Sequence, residues 1–160
     1  MCLFTFFATS VLAQDLQFDE SATRACIANM PAAESIAQCA GVSAQSCINA
    51  TADGYTTVGM GYCFEQERLF WDARLNTTYR EALQRAQTID KEMAAIGSSA
   101  PPQEEALRKM QRAWITFRDA ACEYEYSQWG GGTGGGPAYV SCLMSLTADQ
   151  TSRLARWLEG

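Results

Sequence analysis

Apolar positions along residues 61 to 96 recur in steps of three or four. Leu69, Asp72, Leu75 or Asn76, Tyr79, Leu83 and Ala86 fall on one stripe, which predicts a long amphipathic helix. Gly97 ends it, and Ser98 to Pro102 forms a short connection. A second helix is expected from about Pro102 to Gln128, with Leu107, Met110 or Gln111, Trp114, Phe117 or Arg118 and Cys122 along its inner face. Two long helices joined so closely fold back as an antiparallel hairpin. Trp129 then opens a run of glycines from Gly130 to Gly136, broken only by Thr133 and closed by Pro137, a composition that leaves no regular structure. Ala138 to Leu146 resumes as a short helix around Cys142. Thr147 with Gln150 forms a capping-box signature for a last helix ending at Trp157 and Leu158.

Upstream the pattern breaks into short helices. Ser21 caps a turn through Cys26, Pro31 suits the first position before Ala32 to Ala40, Gly41 ends that piece, and Ser43 starts another through Asn49. Asp53-Gly54 marks a turn, and Tyr55 to Gly61 is expected to be extended or loop. The fold class is all-α: a long-helix hairpin with short flanking helices. Cys2 to Leu12 is uncharged and largely apolar, and Val11-Leu12-Ala13 precedes Gln14, which reads as a secretory signal peptide over residues 1–13. It is too short to span a bilayer, which needs about 20 apolar residues. The remaining chain divides into a Cys-rich extension, residues 14–46, and a helical domain, residues 47–160.

Composition narrows the chemistry. A chain of 160 residues holds one domain with a real core, and its lack of His removes Ser-His-Asp and Cys-His pairs and the common zinc motifs. A net charge of -6 argues against a nucleic-acid partner and suits a cationic one. Once Cys2 leaves with the signal, Cys26, Cys39, Cys47, Cys63, Cys122 and Cys142 remain, an even set for an oxidising compartment and three disulfides. None lies in a C-x2-C or C-x4-C pair, so no metal site is expected. Cys122 with Cys142 would staple the glycine-rich segment and Cys47 with Cys63 the entry of the long helix. Cys26 with Cys39 follows by subtraction. Glu65, Glu67, Asp72, Glu123 and Glu125 offer carboxylates by type, but most are spaced like solvated helix faces and do not argue for a hydrolase. No cofactor motif occurs: the glycine run lacks the following Lys-Ser or Lys-Thr of a phosphate loop.

Four fragments stand in order: Cys63 followed by Trp71-Asp72-x-x-Leu75-Asn76-x-x-Tyr79; Gln111-x-x-Trp114-x-x-Phe117-Arg118-Asp119-x-x-Cys122; the glycine-rich segment; and Cys142 followed by Thr147 and Arg153. Together with Thr56-Thr57-x-x-Met60-x-x-Cys63 they resemble the N-terminal domain of the lysozyme inhibitor LprI family. The resemblance implies a small exported, disulfide-linked helical domain of the bacterial envelope, periplasmic or secreted, with lysozyme or another cationic envelope protein as partner. Cys26 and Cys39 lie outside the usual domain and suggest a subfamily extension, and the lipobox of the lipoprotein branch is absent.

Within the motifs, part of Arg118 is expected to be buried, and a buried guanidinium needs a carboxylate. Asp72, on the facing stripe, is the natural partner, either as a structural pair fixing helix register or as a ligand-binding pair. Asn76, Tyr79 and Gln111 read as polar members of the same interhelical network. Trp71 and Trp114 read as core anchors, with a sugar-stacking platform as the rival role. The glycine-rich segment is either a flexible spacer or a partner-contacting loop in which Trp129, Thr133 and Tyr139 meet the partner, with Asp119, Glu123 and Glu125 suited to a cationic enzyme. The reading that follows is a monomeric, non-catalytic exported binding protein that inhibits lysozyme by occlusion, with a structural or accessory envelope domain as the alternative.

Overall fold

A computed structural model describes residues 16–159 and, among them, only helices and turns. The expected signal peptide and Cys2 lie outside the described residues. Five α-helices follow in order: α1 (Ser21–Ala28), α2 (Val42–Ala50), α3 (Thr57–Ala95), α4 (Gln103–Ser127) and α5 (Gly135–Glu159). Short 3-10 turns at Ala33–Cys39 and Ala52–Tyr55 connect the first pieces. At 1.5 Å per residue α3 is about 58 Å long, half as long again as α4 or α5.

Helix α3 is the axis on which the rest is aligned. It ends at Gly97, where Ser98 N donates to Met93 O at 3.0 Å, closing the last turn as expected for a left-handed glycine. Helix α4 returns antiparallel, placing Gln103 beside Asp90 and Met110 beside Ala82 in one crevice. Helix α5 runs back up parallel to α3, with Tyr139 near Arg68 at one end and Arg85 bonded to the carbonyls of Trp157 and Leu158 at the other. The hairpin is therefore one side of a three-helix bundle, and α5, rather than α4, covers most of α3.

Several local expectations change. Tyr55 to Gly61 is not extended. Thr56 accepts from Gly59 N at 2.9 Å and caps α3 from its side chain, so the helix begins at Thr57. The helix expected over Ala32 to Ala40 is a 3-10 turn, Ala33–Cys39, with extended residues on either side. The break expected at Thr147 is absent: its hydroxyl donates to Leu143 O at 2.7 Å, inside one continuous helix that already includes Gly135 and Gly136. On α3 the inward row is Cys63, Glu67, Phe70, Trp71, Leu75, Thr78 and Ala86, a rotation away from the predicted stripe, which shares only Leu75 and Ala86 with it. Leu69 is 46% exposed, whereas Glu67 is 0% exposed. Two polar residues on the inner row and one leucine on the outer one shifted the apparent phase. On α4 the predicted face holds except at Phe117, which is 61% exposed.

The main core sits where residues 16–63 meet α3 and α5. Ile36, Cys39, Ala44, Cys47, Ile48 and Cys63 pack with Phe70, Trp71, Met144 and Ala148, and Leu16, Phe18, Cys26, Ile27 and Met30 close over them. The residues expected to form an N-terminal extension thus supply a wall of the core. Trp71 is 0% exposed and anchors it, meeting Phe70 edge to face at 5.4 Å.

The candidate partner-binding end

Each helix that docks on α3 is capped by a side chain of α3. Glu67 faces the start of α2: its Oε1 accepts from Gly41 N at 2.8 Å and Thr23 Oγ1 at 2.9 Å, and its Oε2 accepts from Ala44 N at 2.6 Å. Trp71 Nε1 donates to the same carboxylate at 3.2 Å. Thr23 and Ser43 complete the set, each backbone N–H donating to the other's hydroxyl at 3.0 Å. Gly41, with φ 94°, supplies the left-handed turn that aims its own N–H at Glu67. Asp90 caps α4 through Gln103 N at 2.7 Å and Glu104 N at 2.9 Å. Arg85 caps the other kind of end, donating to the last carbonyls of α5 at 3.0 and 2.7 Å. Carboxylates at helix N-termini and a guanidinium at a C-terminus match the helix dipole. Glu67 is therefore a buried structural cap and not a member of a solvated face. Sequence reasoning missed all three caps, because their partners are between 13 and 73 residues away.

The cysteines pair as Cys26 with Cys39, Cys47 with Cys63, and Cys122 with Cys142. The last bridge joins α4 to α5 just below the glycine-rich connection. One turn beyond each cysteine stand Tyr126 and Tyr139, whose rings meet at 84° with centroids 6.4 Å apart. The connection itself is compact. Gly132 N donates to Trp129 O at 2.8 Å and Gly135 N to Gly132 O at 3.1 Å, while Gly130 and Gly131 take positive φ of 56° and 83°. The Trp129 indole lies over Gly134, where any Cβ would collide with its ring carbons. This segment is a folded turn rather than a flexible spacer. It leaves Trp129 49% exposed and Thr133 on the surface.

The motif side chains are arranged differently from expectation. Arg118 does not reach Asp72; its Nε and Nη2 donate to Asp119 Oδ1 at 2.9 and 2.7 Å, and its guanidinium carbon sits 5.0 Å from the centre of the Trp114 ring. The reason is topological: α5 occupies the face of α3 that the hairpin reading gave to α4. Asp72 instead accepts from Asn76 Nδ2 at 3.2 Å along α3, with Tyr79 half-buried one turn on. The interhelical link is Gln111 on α4, whose Oε1 accepts from Gln150 Nε2 of α5 at 3.0 Å. Trp71 is a core anchor, and Trp114 is half-buried beneath Arg118.

The electrostatics are uneven. Between Arg118 and Arg153 the chain carries Asp119, Glu123, Glu125 and Asp149 and no Lys or Arg. Glu123 and Glu125 are exposed, beside Tyr124 and Tyr126. Burial holds the Asp149 carboxyl above its ordinary range, opposed by Arg153. On α3, the hydrogen bonds that Arg68 donates to Glu65 raise the pKa of its guanidinium. Arg74 is lowered by burial and by the like charge of Arg24, and its Nε is buried without a partner. Among the described residues no group of His, Cys, Asp or Glu is placed to hold a metal ion, and no helix is long and apolar enough to cross a membrane.

These features define a disulfide-stapled, all-α domain with exposed carboxylates and aromatic rings at the end where α4 and α5 are joined. The chain belongs to the lysozyme inhibitor LprI family, whose model matches residues 47–154. It is 36% identical over 100 residues to uncharacterized protein R02472 of Rhizobium meliloti (strain 1021), covering 62% of this chain and 72% of that protein. To uncharacterized protein YecT of Escherichia coli (strain K12) it is 30% identical over 108 residues, covering 58% of this chain and 58% of that relative, less than two thirds of its length. No solved structure matches.

Proposed function

We propose that this chain is an exported binding protein of the bacterial envelope that inhibits lysozyme, or a muramidase of similar basic charge, by occluding it. The observation that carries the reading is the end of the bundle formed by α4, α5 and their connection, where Glu123 and Glu125 stand exposed beside Tyr124, Tyr126 and Trp129 on a disulfide-fixed frame. Charge complementarity speeds encounter with a basic enzyme, and rigid aromatic side chains contribute contact area at low entropic cost. Family membership and the three disulfides support an extracytoplasmic, non-catalytic role. The folded turn around Trp129 favours a blunt surface that covers a cleft over a loop that threads into it.

Titration of the purified, oxidised chain into a muramidase assay tests this. Stoichiometric loss of activity at micromolar protein is expected. Full activity at that concentration sinks the proposal and leaves a structural or accessory role in the envelope.

A further inference from the structure

A groove of about 570 Å³ lies between α2 and α5, over the first part of α3. Its volume falls within the range of about 300–1,000 Å³ that small-ligand sites occupy. One wall carries Gln45 and Asn49, one turn apart on α2, and the other carries Ser141 and Ser145, one turn apart on α5. Half-buried Phe64 of α3 adds an aromatic ring to the lining. No lining residue is charged, although 19% of the chain is, so the groove offers an ionic ligand nothing to pair with.

The walls are held in place. Asn49 Oδ1 accepts from Gln45 Nε2 at 2.9 Å and from the Tyr55 hydroxyl at 2.7 Å, which leaves the Asn49 Nδ2 donors and the Gln45 Oε1 acceptor for a ligand. Tyr55 reaches back to Asn49 through the tight turn Ala52–Tyr55, where an added Cβ at Gly54 would collide with the Ile48 carbonyl. The Cys47–Cys63 bridge joins α2, between the two amides, to α3 beside Phe64, and so sets the spacing of amides and ring. On the other side Met144, 2% exposed and between the two serines, seats α5 against the start of α2: a Cβ at Gly41 would lie 3.6 Å from its Cε. Amides and hydroxyls on two walls complement a ligand whose polar groups each donate and accept. An aromatic ring complements a face of C–H groups, whose positive edges meet its negative π face. A sugar ring presents both at once.

We infer that the groove between α2 and α5 binds a neutral oligosaccharide, with Gln45, Asn49, Ser141 and Ser145 on its hydroxyls and Phe64 against one ring face. Tyr55 is a positioning residue that acts through Asn49. The site uses none of the exposed carboxylates of the proposed partner-binding end, so the two readings are tested separately.

The oxidised, isotope-labelled chain is titrated with maltotriose and with N,N′,N″-triacetylchitotriose while the side-chain amides of Gln45 and Asn49 and the ring protons of Phe64 are followed by NMR. Saturable shifts at these residues are expected with at least one of the two sugars. Asn49→Ala and Ser145→Ala, both at exposed positions, should each weaken binding at least fivefold. Tyr55→Phe, which leaves every lining side chain in place, should weaken it at least twofold, and Gln84→Ala on the far part of α3 should change nothing. Shifts that grow linearly with both sugars, or an affinity untouched by Asn49→Ala, overturn the inference. Tighter binding of cationic triglucosamine than of its acetylated form also overturns it, because the acidic charge of the chain would then hold the sugar. No lysozyme enters these measurements, so their failure leaves the inhibitor reading intact, and a chain that binds sugar without inhibiting lysozyme supports the groove while refuting that reading.

Discussion

Replacing Glu67 with Gln is the sharpest perturbation of the fold. The carboxylate is fully buried and meets four donors, from Thr23, Gly41, Ala44 and Trp71. Gln can keep its carbonyl toward Thr23, Gly41 and Trp71, but then its NH2 faces the Ala44 N–H, donor against donor. The variant loses a charge-assisted hydrogen bond, about 1.5–3 kcal/mol, and strands a buried backbone N–H. A net cost of about 3 kcal/mol is expected, which for a chain of this size lowers Tm by about 6–12 °C. Thermal unfolding followed by circular dichroism of the oxidised protein reads this, with Glu65→Gln as control. Glu65 pairs with Arg68 at the surface, a pair of a kind that contributes about 0–1 kcal/mol. If Glu67→Gln melts no lower than Glu65→Gln, the account of a helix start capped across the core is wrong.

Arg74→Met should raise Tm by a few degrees, because it removes a buried Nε without a partner and the repulsion from Arg24; a lower Tm would show that the guanidinium is better satisfied than the geometry indicates. Gly134→Ala should destabilise by about 1–3 kcal/mol and shift tryptophan emission to the red as Trp129 is pushed off its turn. Gly136→Ala, with nothing within 4 Å of its added Cβ, should be neutral or stabilising by up to about 1 kcal/mol. Equal melting temperatures for the two alanine variants would contradict the packed turn. Removing the Cys122–Cys142 bridge as a double alanine variant should cost about 3 kcal/mol on the chain-entropy model and weaken inhibition with it.

The class of fold and the bridge positions were legible because they depend on local signals: heptad-like spacing, Gly97 at a helix end, and an even cysteine count. The phase of α3 was not, because its inner row carries Glu67 and Thr78 while Leu69 faces solvent. A hydrophobic count cannot know that a buried carboxylate will be satisfied by another helix's N-terminus. The same limit hid the true partner of Arg118. Two long helices in sequence suggest a hairpin, and only the packing of α5, with its small inner residues such as Ala148 and Thr151, shows which helix fills the groove. The surface position of Trp129 and Thr133 was legible from their glycine-rich surroundings. Tyr126 was missed, because nothing local says that an exposed tyrosine on α4 meets one on α5 across a disulfide.

The central claim is that the acidic end binds a cationic muramidase through charge. Calorimetric titration of the oxidised chain with lysozyme at about 0.01 M and about 1 M salt tests it, since the screening length falls from about 30 Å to about 3 Å over that range. Binding near one-to-one that weakens at least tenfold at high salt is the predicted result. No heat of binding at either salt concentration, or an affinity indifferent to salt, would contradict it.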